Sequence, residues 1–133
     1  MNLMRGQIAL EYLLVFTIVA AAFAFIAAKA IPQYKLSMEK MEAAYAKRVL
    51  LELKSAAEGL DVLADGSSAK IEVNPTRPWT LSTDSFGLYA QIENGEEVSV
   101  YADSLFCGDV IMLEGKSSIF LEKRHECIAI SQQ

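Results

Sequence analysis

The sequence predicts an α+β subunit: one long N-terminal helix packed on a small antiparallel β-sheet. Three observations carry this. Residues 12–28 form a run of 17 without a charge. The apolar residues after Pro32 recur at helical spacing up to Leu63. Beyond Ser68 the apolar period falls to two, the mark of strands with one buried face.

The elements follow in chain order. Residues 1–6 (MNLMRG) make a short leader with one charge, Arg5. Residues 7–31 are apolar apart from Gln7, Glu11, Thr17 and Lys29, and are rich in Ala, Leu, Ile and Phe. At 1.5 Å per residue the charge-free run covers about 26 Å, close to the lower limit for spanning a bilayer. Arg5 before the span, with no comparable basic cluster just after it, puts the N-terminus on the cytoplasmic side. Pro32 removes one helical hydrogen bond and is expected to kink the axis.

Residues 32–65 continue the helix in amphipathic form. Met38, Met41, Tyr45, Val49, Leu53, Ala56, Leu60 and Leu63 make its core stripe, and Lys40, Lys47, Glu52, Lys54 and Glu58 its wet face. Asp65-Gly66-Ser67-Ser68 ends it. Residues 8 to about 64 thus read as one kinked helix of roughly 85 Å, apolar all round at first and on one side later.

Residues 66–133 form the sheet domain, with strands expected at 70–73, 88–93, 97–101, 110–114, 118–122 and 126–131. Asn94-Gly95 is a hairpin signal. Glu114-Gly115-Lys116 reads as a second turn, and 74–78 (NPTRP) as a loop.

Composition excludes some functions. The chain is 53% hydrophobic with a net charge of −5. It has no basic stripe interleaved with aromatics, so nucleic acid is not expected as its primary partner. One histidine, no glycine-rich phosphate loop and no nucleophile elbow argue against an enzyme, and no cofactor is implied. Cys107 and Cys127, an even pair beside an export-type N-terminus, favour one disulfide over two free thiols or a zinc site completed by His125. Trp79 reads as a cover for the end of the core, ahead of an exposed ligand platform.

Glu11 is the anomaly, because a carboxylate at the mouth of an apolar span is costly unless it has a partner. The bland alternative is a carboxylate resting at the membrane interface. Cleavage between Gly6 and Gln7 would place a new α-amine four residues before Glu11, on the same helix face. In a bundle of such helices, that amine could meet Glu11 of a neighbour and set the axial register.

Arg5-Gly6-Gln7-Ile8-Ala9-Leu10-Glu11, followed by aliphatic residues, resembles the class III signal peptide of archaeal type IV pilins. The resemblance implies a leader removed by a prepilin peptidase, with Gly6 its last residue and Gln7 the mature N-terminus. It implies a homo-oligomeric surface filament built through the N-terminal helices, with Glu11 as the buried acid. Ile8, Leu10, Leu13, Leu14, Phe16, Ile18, Phe23 and Phe25 would fill that bundle. The subunit would wait in the membrane as a precursor and then pass to the cell surface. An assembly ATPase and a polytopic membrane platform would be its other partners, and adhesion, uptake or motility its possible service. Ala9 replaces the usual Ser, and Val15 stands at the usual Leu position behind Leu13 and Leu14. The resemblance covers residues 5 to about 31 only.

Other readings stay open. Ala28-Lys29-Ala30 fits a conventional signal-peptidase site, releasing a domain that starts at Ile31. An unprocessed anchor carrying a surface-binding domain, a minor pilin or pseudopilin, and an archaellin-like subunit are further alternatives.

Overall fold

The computed structural model describes residues 2–93 and 95–133, with side chains from Gly6 onward. Its elements are α1 (Asn2–Asp61), β1 (Ser68–Val73), β2 (Trp79–Thr83), β3 (Gly87–Ile92), β4 (Glu97–Tyr101), β5 (Val110–Leu113), β6 (Ser117–Arg124) and β7 (Cys127–Gln132). The chain divides into two compact units, one ending at Met38 and the other Glu39–Gln133.

The first unit is helix alone. Pro32 lies inside α1 without ending it. Every described side chain from Gly6 to Met38 is exposed, since a lone helix that is apolar on all sides has nothing to bury itself against. Thr17 satisfies its hydroxyl by donating to the Leu14 carbonyl at 2.8 Å.

In the second unit, residues of α1 share one apolar core with two sheets. Ala46, Leu50, Leu53 and Ala57 come from the helix, Ile71, Ile119, Leu121 and Ile128 from one sheet, and Trp79, Leu81, Leu88 and Leu113 from the other. One sheet has the order β1-β6-β7, the other β4-β3-β2-β5, and all pairings within both are antiparallel.

The α+β class agrees with the sequence reading, while several details differ. There are two sheets and seven strands, not one sheet of six. The additional strand is β2, in which Trp79, Leu81 and Thr83 face inward and Thr80 and Ser82 are half-buried. Its inward row carries only two apolar residues and follows a proline-rich loop, so the alternation was faint. The expected helix stripe is also displaced. Val49, Leu53 and Leu60 are buried, but Met41 is 66% and Leu63 51% exposed. The buried row instead begins at Glu42 and runs through Ala46, Leu50, Leu53 and Ala57. The helix ends at Asp61, and Lys123 donates its Nζ to the carbonyls of Asp61 and Leu63, taking the place of a cap.

β3 and β4 form the expected hairpin, with Gln91 opposite Glu97. Its signal residue Asn94 lies outside the described residues. Gly115, at φ +61°, turns the chain as expected, but this turn passes from β5 in one sheet to β6 in the other. The β6–β7 hairpin turns on His125 and Glu126, with Arg124 opposite Cys127 and His125 at φ +26°.

Candidate functional site

The sequence directs attention to the N-terminal half of α1. Gly6 and Gln7, the expected cleavage pair, both lie within the helix. A Cβ built on Gly6 would meet nothing within 4 Å. Among the described residues, no packing requirement explains a residue that weakens a helix by about 1 kcal/mol relative to Ala. Glu11 lies one turn beyond Gln7, about 6 Å along the axis. It is exposed, and no ion pair among the described residues involves it.

The eight residues expected to pack a helix bundle are all uncovered, at exposures from 53% for Ile8 to 72% for Phe16. Soluble proteins rarely leave a continuous apolar surface of this size in water. By length and composition, α1 can cross a membrane. Lys29, the other charge of the segment, holds its ammonium 6.0 Å from the Phe25 ring centroid.

The head offers different chemistry. The disulfide is present: Cys107, in the segment before β5, is bonded to Cys127 at the start of β7, with Cα atoms 5.2 Å apart. Beside it, Ile128 donates to Leu105 O at 2.8 Å and Cys107 to Ile128 O at 3.0 Å. His125 is exposed and its Nδ1 lies 2.7 Å from Asp65 Oδ2.

Trp79 is 1% exposed and belongs to the core, which removes the reading of an exposed platform. Its indole N–H donates to Glu42 Oε1 at 3.0 Å, and its ring meets Tyr45 at 5.3 Å between centroids. Glu42 is buried and purely an acceptor. Oε1 also takes Thr76 N at 3.1 Å and Arg77 N at 3.4 Å, while Oε2 takes the Thr76 hydroxyl. One helix carboxylate thereby fastens the loop that leads into β2.

A second acid-centred group sits at the β2–β3 turn. Asp84 Oδ1 accepts Gly87 N at 2.6 Å and Phe86 N at 3.2 Å, and Oδ2 accepts the Tyr89 hydroxyl at 2.9 Å. Tyr101 meets Tyr89 edge-on at 6.5 Å. The Tyr89 hydrogen bond, helped by the Gly87 and Phe86 amides, holds the Asp84 carboxyl below its ordinary value. The same carboxylate raises the Tyr89 phenol above its ordinary value.

On the outer face of the four-stranded sheet, a shallow cleft of about 290 Å³ lies among Pro78, Thr80, Gln91, Glu93, Met112 and Glu114. Among the described residues, no group of three or more His, Cys, Asp or Glu could hold a metal ion.

Sequence reading located the exposed helix and the cysteine pair. It missed Glu42 and the Asp84–Tyr89 pair, because neither belongs to a recognisable spacing. The only available signal was an acid standing at a core position of the helix. Compared with protein-family models, with curated proteins and with solved structures, the chain finds no match.

Proposed function

We propose that this chain is the structural subunit of a type IV pilus-like filament, cleaved between Gly6 and Gln7 and polymerised through the N-terminal half of α1. The observation that carries the reading is the helix itself, with its eight bundle residues uncovered and a single acid, Glu11, one turn beyond the cleavage position. Before assembly the membrane covers this surface. In the filament, neighbouring copies replace the lipid. Apolar side chains gain little in that exchange, so packing and paired polar groups drive it.

After cleavage, the α-amine of Gln7 and the Glu11 carboxylate share a helix face. A carboxylate enclosed by aliphatic residues requires a positive partner, which makes Glu11 a determinant of register. The head, closed by Cys107–Cys127, suits an oxidising exterior. Extraction from the membrane requires separate machinery: a prepilin peptidase, an assembly ATPase and a membrane platform.

The test is intact mass and N-terminal sequencing of the protein from native membranes, beside a Glu11→Ala variant. The expected result is a start at Gln7 in both, with the variant missing from sheared filaments. A start at Ile31 would mean a secreted domain, and a start at Met1 an uncleaved anchor. Either one removes the filament reading.

A further inference from the structure

Lys29 has no role in the reading above, yet it is the only cationic side chain in residues 7–34. Glu11 is the only acid before Glu39. The two are 18 residues apart, which is five full helical turns and about 27 Å along the axis. They therefore lie on the same face of α1 and, within one chain, far beyond contact. No ion pair among the described residues involves either. The Lys29 ammonium leans one turn back over the Phe25 ring, toward the apolar segment and away from Gln33 and Lys35.

We infer that Lys29 is the counter-ion of Glu11 in a second copy of this chain, in a parallel packing offset by about 27 Å along the helix axis. This inference rests on the filament reading proposed above and names the partner of its acid. A bundle that buries residues 7–31 encloses Lys29 as well as Glu11. An enclosed ammonium without a counter-charge is strongly disfavoured, and the only acid that residues 7–31 of any copy can offer is Glu11. The α-amine of Gln7 lies at the chain end and can be served by the second carboxylate oxygen or by water, whereas Lys29 sits within the helix.

The common face matters for polymerisation. When every helix turns it toward one axis, each subunit brings one glutamate and one lysine to the interior. An offset of five turns then matches them one to one. The same offset brings Leu36 beside Ile18, since these lie seven residues beyond Lys29 and Glu11 respectively. A lysine that only anchored the precursor at lipid headgroups would need no such spacing.

The experiment uses full-length protein in cells that process and assemble it, with sheared filament measured relative to cleaved subunit in the membrane. Lys29→Glu and Glu11→Lys are each expected to lower that ratio at least about tenfold, about 1.4 kcal/mol. The double swap, Glu11→Lys with Lys29→Glu, should recover to within about threefold of wild type, and Lys29→Arg should assemble normally. A double swap no better than the weaker single variant overturns the pairing. So does an unchanged ratio for Lys29→Gln, which leaves the cleavage motif intact. That second result would leave the filament reading standing, whereas a mature start at Met1 or Ile31 overturns both.

Discussion

Glu42 gives the most direct test of how the head is held together. It is a buried carboxylate on the helix whose partners all lie in the loop before β2 or at its first residue. Replacing it with Ala strands the Trp79 indole N–H, which has no access to water at 1% exposure. A buried donor left without an acceptor costs about 1–3 kcal/mol. Thr76 is exposed and Arg77 half-buried, so their amides can be rehydrated and add less. Loss of charge-assisted bonds and of the side chain's own packing brings the expected total to about 2–4 kcal/mol. For a unit of this size, each kcal/mol moves the midpoint by about 4–8 °C, so Tm should fall by roughly 8–32 °C.

Trp79 is the only tryptophan in the chain, and its fluorescence reports on the environment that Glu42 maintains. Thermal unfolding of the full chain in detergent, followed by that emission and by far-UV circular dichroism, measures the loss. Glu42→Gln keeps one carbonyl oxygen for the indole and should cost about 1–2 kcal/mol. A double-mutant cycle with Trp79→Phe isolates the shared bond, with an expected coupling of about 1–3 kcal/mol. The circular dichroism supplies the readout where the fluorophore is absent. A Glu42→Ala midpoint within about 3 °C of wild type, or the same loss in both Trp79 backgrounds, would refute the reasoning.

Two further outcomes follow from the head. Replacing Cys107 and Cys127 together by Ala should lower stability by about 3 kcal/mol, as expected for opening a loop of about 20 residues; the urea midpoint with and without the bond measures it, and a loss under about 1 kcal/mol would show that the hydrogen bonds around Ile128 hold the segment alone. For the Asp84–Tyr89 pair the sign is fixed by direction. The Asp84 value is lowered on folding, so its contribution is present above the unfolded value near 3.8 and is lost as pH falls below it. The Tyr89 value is raised, so its contribution is complete below pH 10 and is lost as the phenol ionises in stronger alkali. Phenolate absorbance should show one of the five tyrosines titrating late, and Asp84→Asn should bring it back toward the others. An unchanged titration would break the assignment.

How much was legible depended on whether a residue obeyed a pattern or an individual partner. The apolar span, the change of period after Ser68 and the pairing of β3 with β4 are patterns, and they were readable. The helix register was misread because the true core row starts with Glu42. A stripe drawn through apolar letters passes to Met41, whereas the chain buries Glu42 and satisfies it with donors from residues 76–79. The core row also uses Ala46 and Ala57, whose small size gives a weak hydrophobic signal while permitting close approach. The division into two sheets was hidden for a related reason. Alternation along a strand defines its inward face but not its neighbour, and the turn at Gly115 looks locally like one that could join paired strands. At the N-terminus the long apolar helix was readable from its charge-free run. The 18-residue spacing of Glu11 and Lys29 was also present in the letters, and it amounts to five turns only where the helix is regular.

The core of the head draws all its members from residues 46–130, so residues 7–31 contribute nothing to it. Their apolar surface is thus available for exchange between environments, and the reference state decides the energetics. Against water, covering an aliphatic or aromatic side chain is worth about 1.5–3 kcal/mol, and the eight bundle positions together give at most about 12–24 kcal/mol per subunit. Against lipid the same burial yields almost nothing, because the tails are as apolar as the side chains. Under the filament reading, a subunit leaving the polymer for water faces the first figure, while one returning to the membrane faces neither. Such a polymer is held together outside the cell by a barrier that disappears at its membrane base. At that base the balance rests on contacts that lipid cannot reproduce: close packing of Ala-rich stretches and the pairing of charges at Glu11 and Lys29. Two charges in an otherwise apolar segment are costly within a bilayer. Their presence is intelligible where the assembled state neutralises them more completely than the membrane does.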